Sequence, residues 1–414
     1  YALEQNITIR KNRVTAASTQ IDVKTAKAAM FPSLSFSTGQ QVVNRPYQET
    51  SSRVSGSEII SSNSKTSYNG NYGLNASWTL YNGNKRLKTI QQEKLNNQMA
   101  ELDVATSENN IQESIAQVYI QILYAAESVK VNENTLQVSI AQRDRGQELL
   151  NAGSIAKSDL AQLEAQVSTD RYQLVTAQAT LEDYKLQLKQ LLELDGENEM
   201  NIYLPALSDE NVLAPLPTKR DVYISALSLR PEIEASKLNV EASELGINIA
   251  KSSYFPTISL SAGIGTNHTS GSDFTFGEQV KNGWNNSIGL SVSVPIFNNR
   301  QTKSAVQKAK LQYETSMLSL LDEQKALYKT IESLWLDANS AQQRYAAANE
   351  KLKSTQISYE LISEQFNLGM KNTIELLTEK NNLLQAQQEQ LQAKYMAILN
   401  MQLLKFYQGD QLAI

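Results

Sequence analysis

At 414 residues the chain has room for two or three ordinary domains, yet only 17 glycines and 8 prolines punctuate it. Gln, Asn, Ala, Ser, Leu, Lys and Glu fill long uninterrupted stretches, the composition of long helices. A net charge of −5 and a pI near 5.3 exclude the basic stripe that nucleic acid requires, and the absence of cysteine excludes disulfides and thiolate metal sites.

In chain order, Tyr1–Met30 reads as a helix, with no signal peptide ahead of it, as expected if a leader was removed. A strand follows at 33–43, where Leu34, Phe36, Gln40 and Val42 alternate with Ser33, Ser35, Ser37 and Gly39. A polar loop, Asn44–Thr66, leads to a second strand at 68–81, with Tyr72, Leu74, Ala76, Trp78 and Leu80 on one face. From 84 to 150 there is no proline, and the one glycine is Gly146. At ~1.5 Å per residue such a helix is about 100 Å long. Ile111, Ile115, Val118, Ile122, Val129, Leu136 and Ile140 step along it by threes, fours and sevens, the spacing of a helix–helix seam. After a short turn a return helix is expected at 157–193, its stripe carried by Leu160, Leu163, Val167, Leu174, Leu181, Tyr184, Leu188 and Leu191. Residues 195–220, with Pro205, Pro215 and Pro217, read as an irregular connection.

The pattern then starts again, so the domains are expected to be two structural repeats, 1–194 and 221–414, joined by 195–220. The second holds a helix at 231–253, strands at 257–266 and 286–297, a long helix at 300–366 and a return helix at 373–407. Phe31-Pro32-Ser33-Leu34-Ser35-Phe36 returns as Phe255-Pro256-Thr257-Ile258-Ser259-Leu260, at an offset of 224. Trp78-Thr79-Leu80-Tyr81-Asn82-Gly83-Asn84 returns as Val294-Pro295-Ile296-Phe297-Asn298-Asn299-Arg300, at an offset of 216. Asn151-Ala152-Gly153 answers Asn367-Leu368-Gly369 at 216 again. Matches in order at consistent offsets indicate a tandem duplication, with one loop longer in the first copy.

No run of 18 apolar residues exists, so no transmembrane helix is expected. The strands offer another route across a bilayer. Their polar faces are uncharged Ser, Gly, Asn and Thr, and each is about the ~9–11 residues that a tilted spanning strand needs. Leu34, Phe36, Leu74, Trp78, Ile258, Leu260, Leu290 and Val292 are then the lipid-facing positions, with Phe31, Tyr81, Phe255 and Phe297 as an aromatic belt. A bilayer does not tolerate an open sheet edge, and four strands cannot close a barrel. Two chains would give eight strands, whose side chains fill the interior; three would give twelve, enough for an aqueous bore. The fold expected is an α+β membrane protein in which long antiparallel helices form a trimeric α-barrel and four strands per chain join a twelve-stranded transmembrane β-barrel.

These features together resemble the TolC family of bacterial outer-membrane efflux proteins. The resemblance covers essentially the whole chain: the duplicated halves, the strand entries Phe31-Pro32 and Phe255-Pro256, and the helix start Arg230-Pro231-Glu232-Ile233. It includes the turn pattern running from Gly153 to Asp159-Leu160 and from Gly369 to Glu375-Leu376. The resemblance implies a homotrimer in the outer membrane of a Gram-negative bacterium, its helical body in the periplasm, working with a periplasmic adaptor protein and an inner-membrane transporter. It also implies that Asp159 and Lys371 supply tip gate links and that Glu375 narrows the pore. Thr378 occupies the second constriction position, where the family has an acid. Gly153, Ser154, Gly369 and Met370 mark the turns that would touch the adaptor.

Nothing in the sequence supports an enzyme or a bound cofactor. The single histidine, His268, falls in a predicted Gly/Ser/Thr loop, and no nucleophile–base pairing or metal-ligand cluster is evident. Two competing readings are a periplasmic coiled-coil scaffold or adhesin stalk, and the same duct serving protein or metal-ion export.

Overall fold

The computed structural model describes residues 1–47, 51–55, 58–62, 65–194, 202–203, 212–272 and 274–412. In chain order the helices are α1 (Ala2–Gln5), α2 (Ile7–Ala28), α3 (Lys85–Asn151), α4 (Lys157–Leu191), α5 (Lys219–Leu229), α6 (Pro231–Ser252), α7 (Phe276–Asn282), α8 (Gln301–Asn367) and α9 (Thr373–Gln408). The strands are β1 (Ser33–Asn44), β2 (Ser51–Ser55), β3 (Glu58–Ser62), β4 (Thr66–Asn82), β5 (Thr257–Thr269) and β6 (Asn285–Ser293).

Several boundaries depart from the sequence pattern for local reasons. The first helix is broken at Asn6, whose backbone turns extended (ψ 127°). Its Oδ1 accepts the Thr8 N–H at 2.9 Å, capping α2, and its Nδ2 donates to the Leu191 carbonyl at the end of α4 at 3.2 Å. α5 begins inside the expected 195–220 connection, because Thr218 accepts the Asp221 N–H and caps it. Residues 195–201 and 204–211 of that connection lie outside the described residues. Its exit is pinned: Gln342 Nε2 donates to the carbonyls of Val212 and Ala214, and Trp335 Nε1 donates to that of Pro217. The fourth strand stops at Ser293 rather than 297, as Pro295 has no N–H for a ladder. The two expected loops also carry structure: β2 and β3 pair within 44–66, and α7 lies between β5 and β6.

Residues Tyr1–Ala16, Met99–Lys237 and Ser319–Ile414 form one compact unit, and Ala17–Gln98 with Leu238–Leu318 form a second. Each draws on both halves of the sequence. In the first, Ile120, Leu123, Val212, Tyr345, Leu391, Tyr395, Ile398 and Leu403 form one apolar cluster. Val222, Ala226, Ile233, Leu327, Ile331, Ala338, Leu404 and Tyr407 form another. The motif at 230–233 works here. Arg230, almost fully buried, donates to Glu113 at 3.0 Å and Glu232 at 2.8 Å, with Tyr407 stacked 4.1 Å away. Desolvation raises the Glu113 carboxyl above its ordinary range, opposed by the Arg230 charge and hydrogen bond.

The second unit holds a four-stranded antiparallel sheet in the order β1-β4-β5-β6, so its central pairing, β4 with β5, joins the two halves of the sequence. A register shift after Thr79 leaves Leu80 without a partner and brings Tyr81 opposite Ile258. There Arg86 is the anchor: its guanidinium donates to the Thr79 carbonyl and, at 3.0 Å, to the Ala29 carbonyl at the end of α2. Both passages from sheet to long helix use two successive left-handed residues, Gly83-Asn84 (φ 67° and 62°) and Asn299-Arg300 (φ 48° and 66°). α3 and α8, which follow, each have 67 residues.

Candidate functional site: the hairpin turns and the uncharged sheet

The register aligns the side chains of the sheet into rows. Leu34, Ala76, Ala262 and Ile288 make one row of the apolar face; Phe36, Leu74 and Ile264 make the next; Trp78, Leu260 and Leu290 a third; Tyr81, Ile258 and Val292 a fourth. The opposite face carries Ser33, Ser77, Ser261 and Gly289, then Ser35, Asn75, Gly263 and Ser287. No Asp, Glu, Lys or Arg occurs in any of the four strands. Of the lipid-facing candidates, Leu34, Phe36, Leu74, Trp78, Leu290 and Val292 are exposed, and Ile258 and Leu260, on inner strand β5, are half-buried. Of the expected belt, Phe31, Phe255 and Phe297 are exposed and Tyr81 is half-buried. Trp78 has a second task, since its Nε1 donates to the Met30 carbonyl at 2.7 Å. Among the described residues, outer strands β1 and β6 each leave one edge unpaired.

At the other candidate site, the two helical hairpins turn in the same way. After α3, Ser154 N donates to the Leu149 carbonyl at 2.8 Å and Gly153 N to that of Leu150 at 2.9 Å. After α8, Met370 N donates to Gln365 at 2.8 Å and Gly369 N to Phe366 at 2.9 Å. This paired bonding ends a helix through a left-handed residue, and both glycines have φ +73°. The next helix then starts on a carboxylate. Asp159 accepts the Ala156 N–H at 3.0 Å. Glu375 accepts the Asn372 N–H at 3.2 Å while Asn372 Oδ1 accepts the Glu375 N–H at 2.9 Å, a complete capping box.

Lys371 donates to Glu375 at 2.6 Å, so the expected gate cation and the expected constriction acid pair within one turn. Among the described residues of the chain Lys371 makes no ion pair with Asp159. The Lys371 hydrogen bond, with that from the Asn372 backbone, holds the Glu375 carboxyl below the usual carboxylate range. Thr378 is exposed and its hydroxyl donates back to the Ile374 carbonyl at 2.8 Å. Leu368 and Met370 project at 75 % and 71 % exposure, more than solvent favours for such side chains.

One cluster near the turns escaped the sequence reading. Lys380 of α9 donates to Asp170 of α4 and to Ser139 of α3, and Ser139 donates to Asp170. Gln166 completes it, donating to the other Asp170 oxygen at 2.9 Å. The charged side chains are only 3 % and 2 % exposed. Burial lowers the Lys380 pKa from its ordinary value, against the hydrogen bond and charge of Asp170. The available signal was position: Asp170 continues the stripe of Leu163 and Val167, and Lys380 that of Thr373 and Leu376.

The model of the outer membrane efflux protein family matches residues 1–193 and 222–409. The chain belongs to this family. Among relatives of this efflux family, BepC of Brucella suis biovar 1 (strain 1330) is 24 % identical over 290 residues, 70 % of this chain and 60 % of BepC. TolC of Escherichia coli (strain K12) is 24 % identical over 294 residues, 69 % of this chain and 58 % of TolC. The chain therefore spans about three-fifths of the length of the curated relatives it matches. Crystalline CusC shares the fold with a TM-score of 0.83 at 19 % identity, over 99 % of this chain and 90 % of that one. Membership of the outer-membrane efflux family places the protein in the outer membrane, with a periplasmic body. No helix among the described residues is long and apolar enough to cross a membrane.

Proposed function

We propose that three copies of this chain close a twelve-stranded barrel over a helical tunnel, forming the exit duct of a tripartite efflux system gated at its hairpin turns. The observation that carries this is a sheet free of charge, apolar and exposed on one face, with an open edge on each side. In hydrocarbon every unpaired backbone group costs several kcal/mol, so the edges of β1 and β6 call for strands from further copies. The Ser, Asn, Gly and Thr face suits a wet bore. A groove between α8 and α9, lined by Ala341, Ala348 and Ala393 and bridged by Lys351 with Glu389, gives a neighbouring helix a close seat.

The exposed turns at Gly153-Ser154 and Gly369-Met370 are the proposed contacts for a periplasmic adaptor, through which an inner-membrane transporter delivers cargo. Asp159 and Lys371 lie where neighbouring turns of the trimer would link, and Glu375 would line the narrowed axis with Thr378 one turn on. Like charges repeated about a narrow axis crowd at a cost, so the Lys371–Glu375 pair offsets what a bare acidic ring would impose. The duplication of the two halves is part of this reading: matched 67-residue helices and matched turns give a wall of even height.

Single-channel conductance in planar bilayers tests the proposal, comparing wild type with Asp159→Ala plus Lys371→Ala. Low conductance in wild type that rises in the double variant is the expected result. No conductance from either, in a protein soluble without detergent, would overturn the duct in favour of a periplasmic scaffold.

A further inference from the structure

The register that defines the lipid-facing rows continues beyond them, toward the end of the sheet farthest from the long helices. Above the row of Phe36, Leu74 and Ile264 come Thr38, Tyr72 and Thr266, and then Gln40, Gly70 and His268. His268 is therefore not in a loop, as its Gly/Ser/Thr neighbours suggested, but inside β5, on the same face as Leu260 and Ile264. Gly70 opposite it leaves the ring its room, since a Cβ there would stand 2.1 Å from the imidazole. The ring stacks on Tyr72 at 5.9 Å, and Phe276, the first residue of α7, meets its other side edge-on at 5.1 Å.

α7 is docked on that same face. Thr266 Oγ1 donates to the Val280 carbonyl at 2.7 Å, and Gln279 Oε1 accepts the Thr269 N–H at 2.8 Å. Phe276 and Val280, four residues apart, share the side of α7 that meets β5. Around it Phe274, Phe276, Trp284 and Tyr68 are all exposed. Trp284 precedes β6 in the alternation that puts Ile288 and Leu290 on the apolar face. From Tyr81 to Tyr72, β4 covers about the ~9–11 residues of a tilted spanning strand. Charge begins again just beyond, at Arg45, Lys65 and Lys281, with one acid, Glu278, on α7.

We propose that α7 is an interfacial anchor: it lies outside the barrel wall in the headgroup layer of the outer leaflet, where Tyr72, Phe276 and Trp284 form a second aromatic belt. The alternative position for a helix in a strand connection is over the mouth, as a plug. That would require it to dock on Gly265, Asn267 or Ser287 of the polar face. Aromatic rings with one wet edge suit the headgroup layer, and nearby cations complement anionic lipid phosphates. His268, whose Nδ1 is buried without a partner among the described residues, is then a spacer between two rings of that belt.

This inference rests on the barrel reading, and one experiment separates the two. The chain has three tryptophans: Trp78 in the lower rows, Trp284 beside α7, and Trp335 bonded to Pro217 in the helical unit. The full-length chain would be reconstituted in phosphatidylcholine vesicles with or without dibrominated acyl chains, as wild type, Trp78→Phe and Trp284→Phe. Subtracting each variant from wild type isolates the emission of the residue replaced. Expected is quenching of both differences by brominated lipid, that of Trp284 stronger with bromines near the headgroup than with bromines near the chain end. Quenching of Trp78 with none of Trp284 would overturn the anchor and place α7 over the mouth. Quenching of neither would overturn the barrel itself.

Discussion

The Lys380–Asp170 pair ties α9 to α4 and, through Ser139, to α3, so breaking it is the sharpest test of what holds the three helices in register. At 3 % and 2 % exposure, solvent does not screen the pair. Removing one partner leaves an uncompensated buried charge, which costs about 3–5 kcal/mol. Asp170→Leu leaves the ammonium with only the Ser139 hydroxyl and also strips Gln166 of its acceptor, so its loss should sit at the upper end. Lys380→Met leaves Asp170 with the Ser139 and Gln166 donors and should sit at the lower end. Replacing both with apolar side chains removes the charges together, and such exchanges are often neutral or stabilising by about 1–4 kcal/mol. The double variant is therefore expected to recover most of the loss, with a coupling of about 3 kcal/mol. Urea unfolding of the detergent-solubilised protein, followed by helical circular dichroism, gives the four free energies. Single losses below about 0.5 kcal/mol, or a double loss equal to the sum of the singles, would refute the reasoning.

Gly153→Ala and Gly369→Ala should each cost about 1–2 kcal/mol, because φ is +73° while a Cβ meets nothing within 4 Å; the same urea midpoints measure it, and no loss would mean that the turn relaxes. Asn372→Ala should cost about 1 kcal/mol of α9 stability, seen as faster amide exchange at Thr373–Leu376. The Glu375 half of that cap has a depressed pKa, so its contribution is present above the ordinary carboxylate pKa of 4.5. It is lost as pH falls through the depressed value, and exchange at the turn should rise there. Glu113 behaves oppositely: its raised pKa means that the folded state holds more protons than the unfolded one in the window above 4.5, so stability falls as pH rises through it. Glu113→Gln should flatten that part of the pH profile of unfolding.

Strands and long helices were legible because burial imposes a period on them. The alternation around Leu34, Leu74, Ile258 and Leu290, and the stripe of Leu163, Val167 and Leu188, survive into the structure with boundaries moved by a few residues. Breaks set by one side chain were less visible: Asn6 reads as one more polar position of a helix until its two hydrogen bonds are known. Pro295 marks the end of the fourth strand by its missing N–H, a signal that the alternation through Val294 masks. The neighbours of His268 read as a loop because small polar residues look alike in a turn and on the wet face of a sheet; the pairing with Gly70 tells them apart. Lys380 and Asp170 lie 210 residues apart, and local periodicity carries no term for a partner at that distance. What their positions did offer was a charge on an apolar stripe, which is costly unless paired.

The order β1-β4-β5-β6 bears on how the protein is made. β1 and β4 are complete by residue 82, but β5 ends at residue 269, so the β4–β5 pairing must close across more than 180 further residues. Until then the far edge of β4 is an uncovered template, apolar on one face and without a lysine or proline to discourage a foreign strand. Pairing of β5 and β6 transfers that exposure to the outer edges, which the proposed trimer would cover with strands of like chains. Assembly therefore has two steps of different kinds, one set by separation along the chain and, on the proposed trimer, one set by the concentration of like chains.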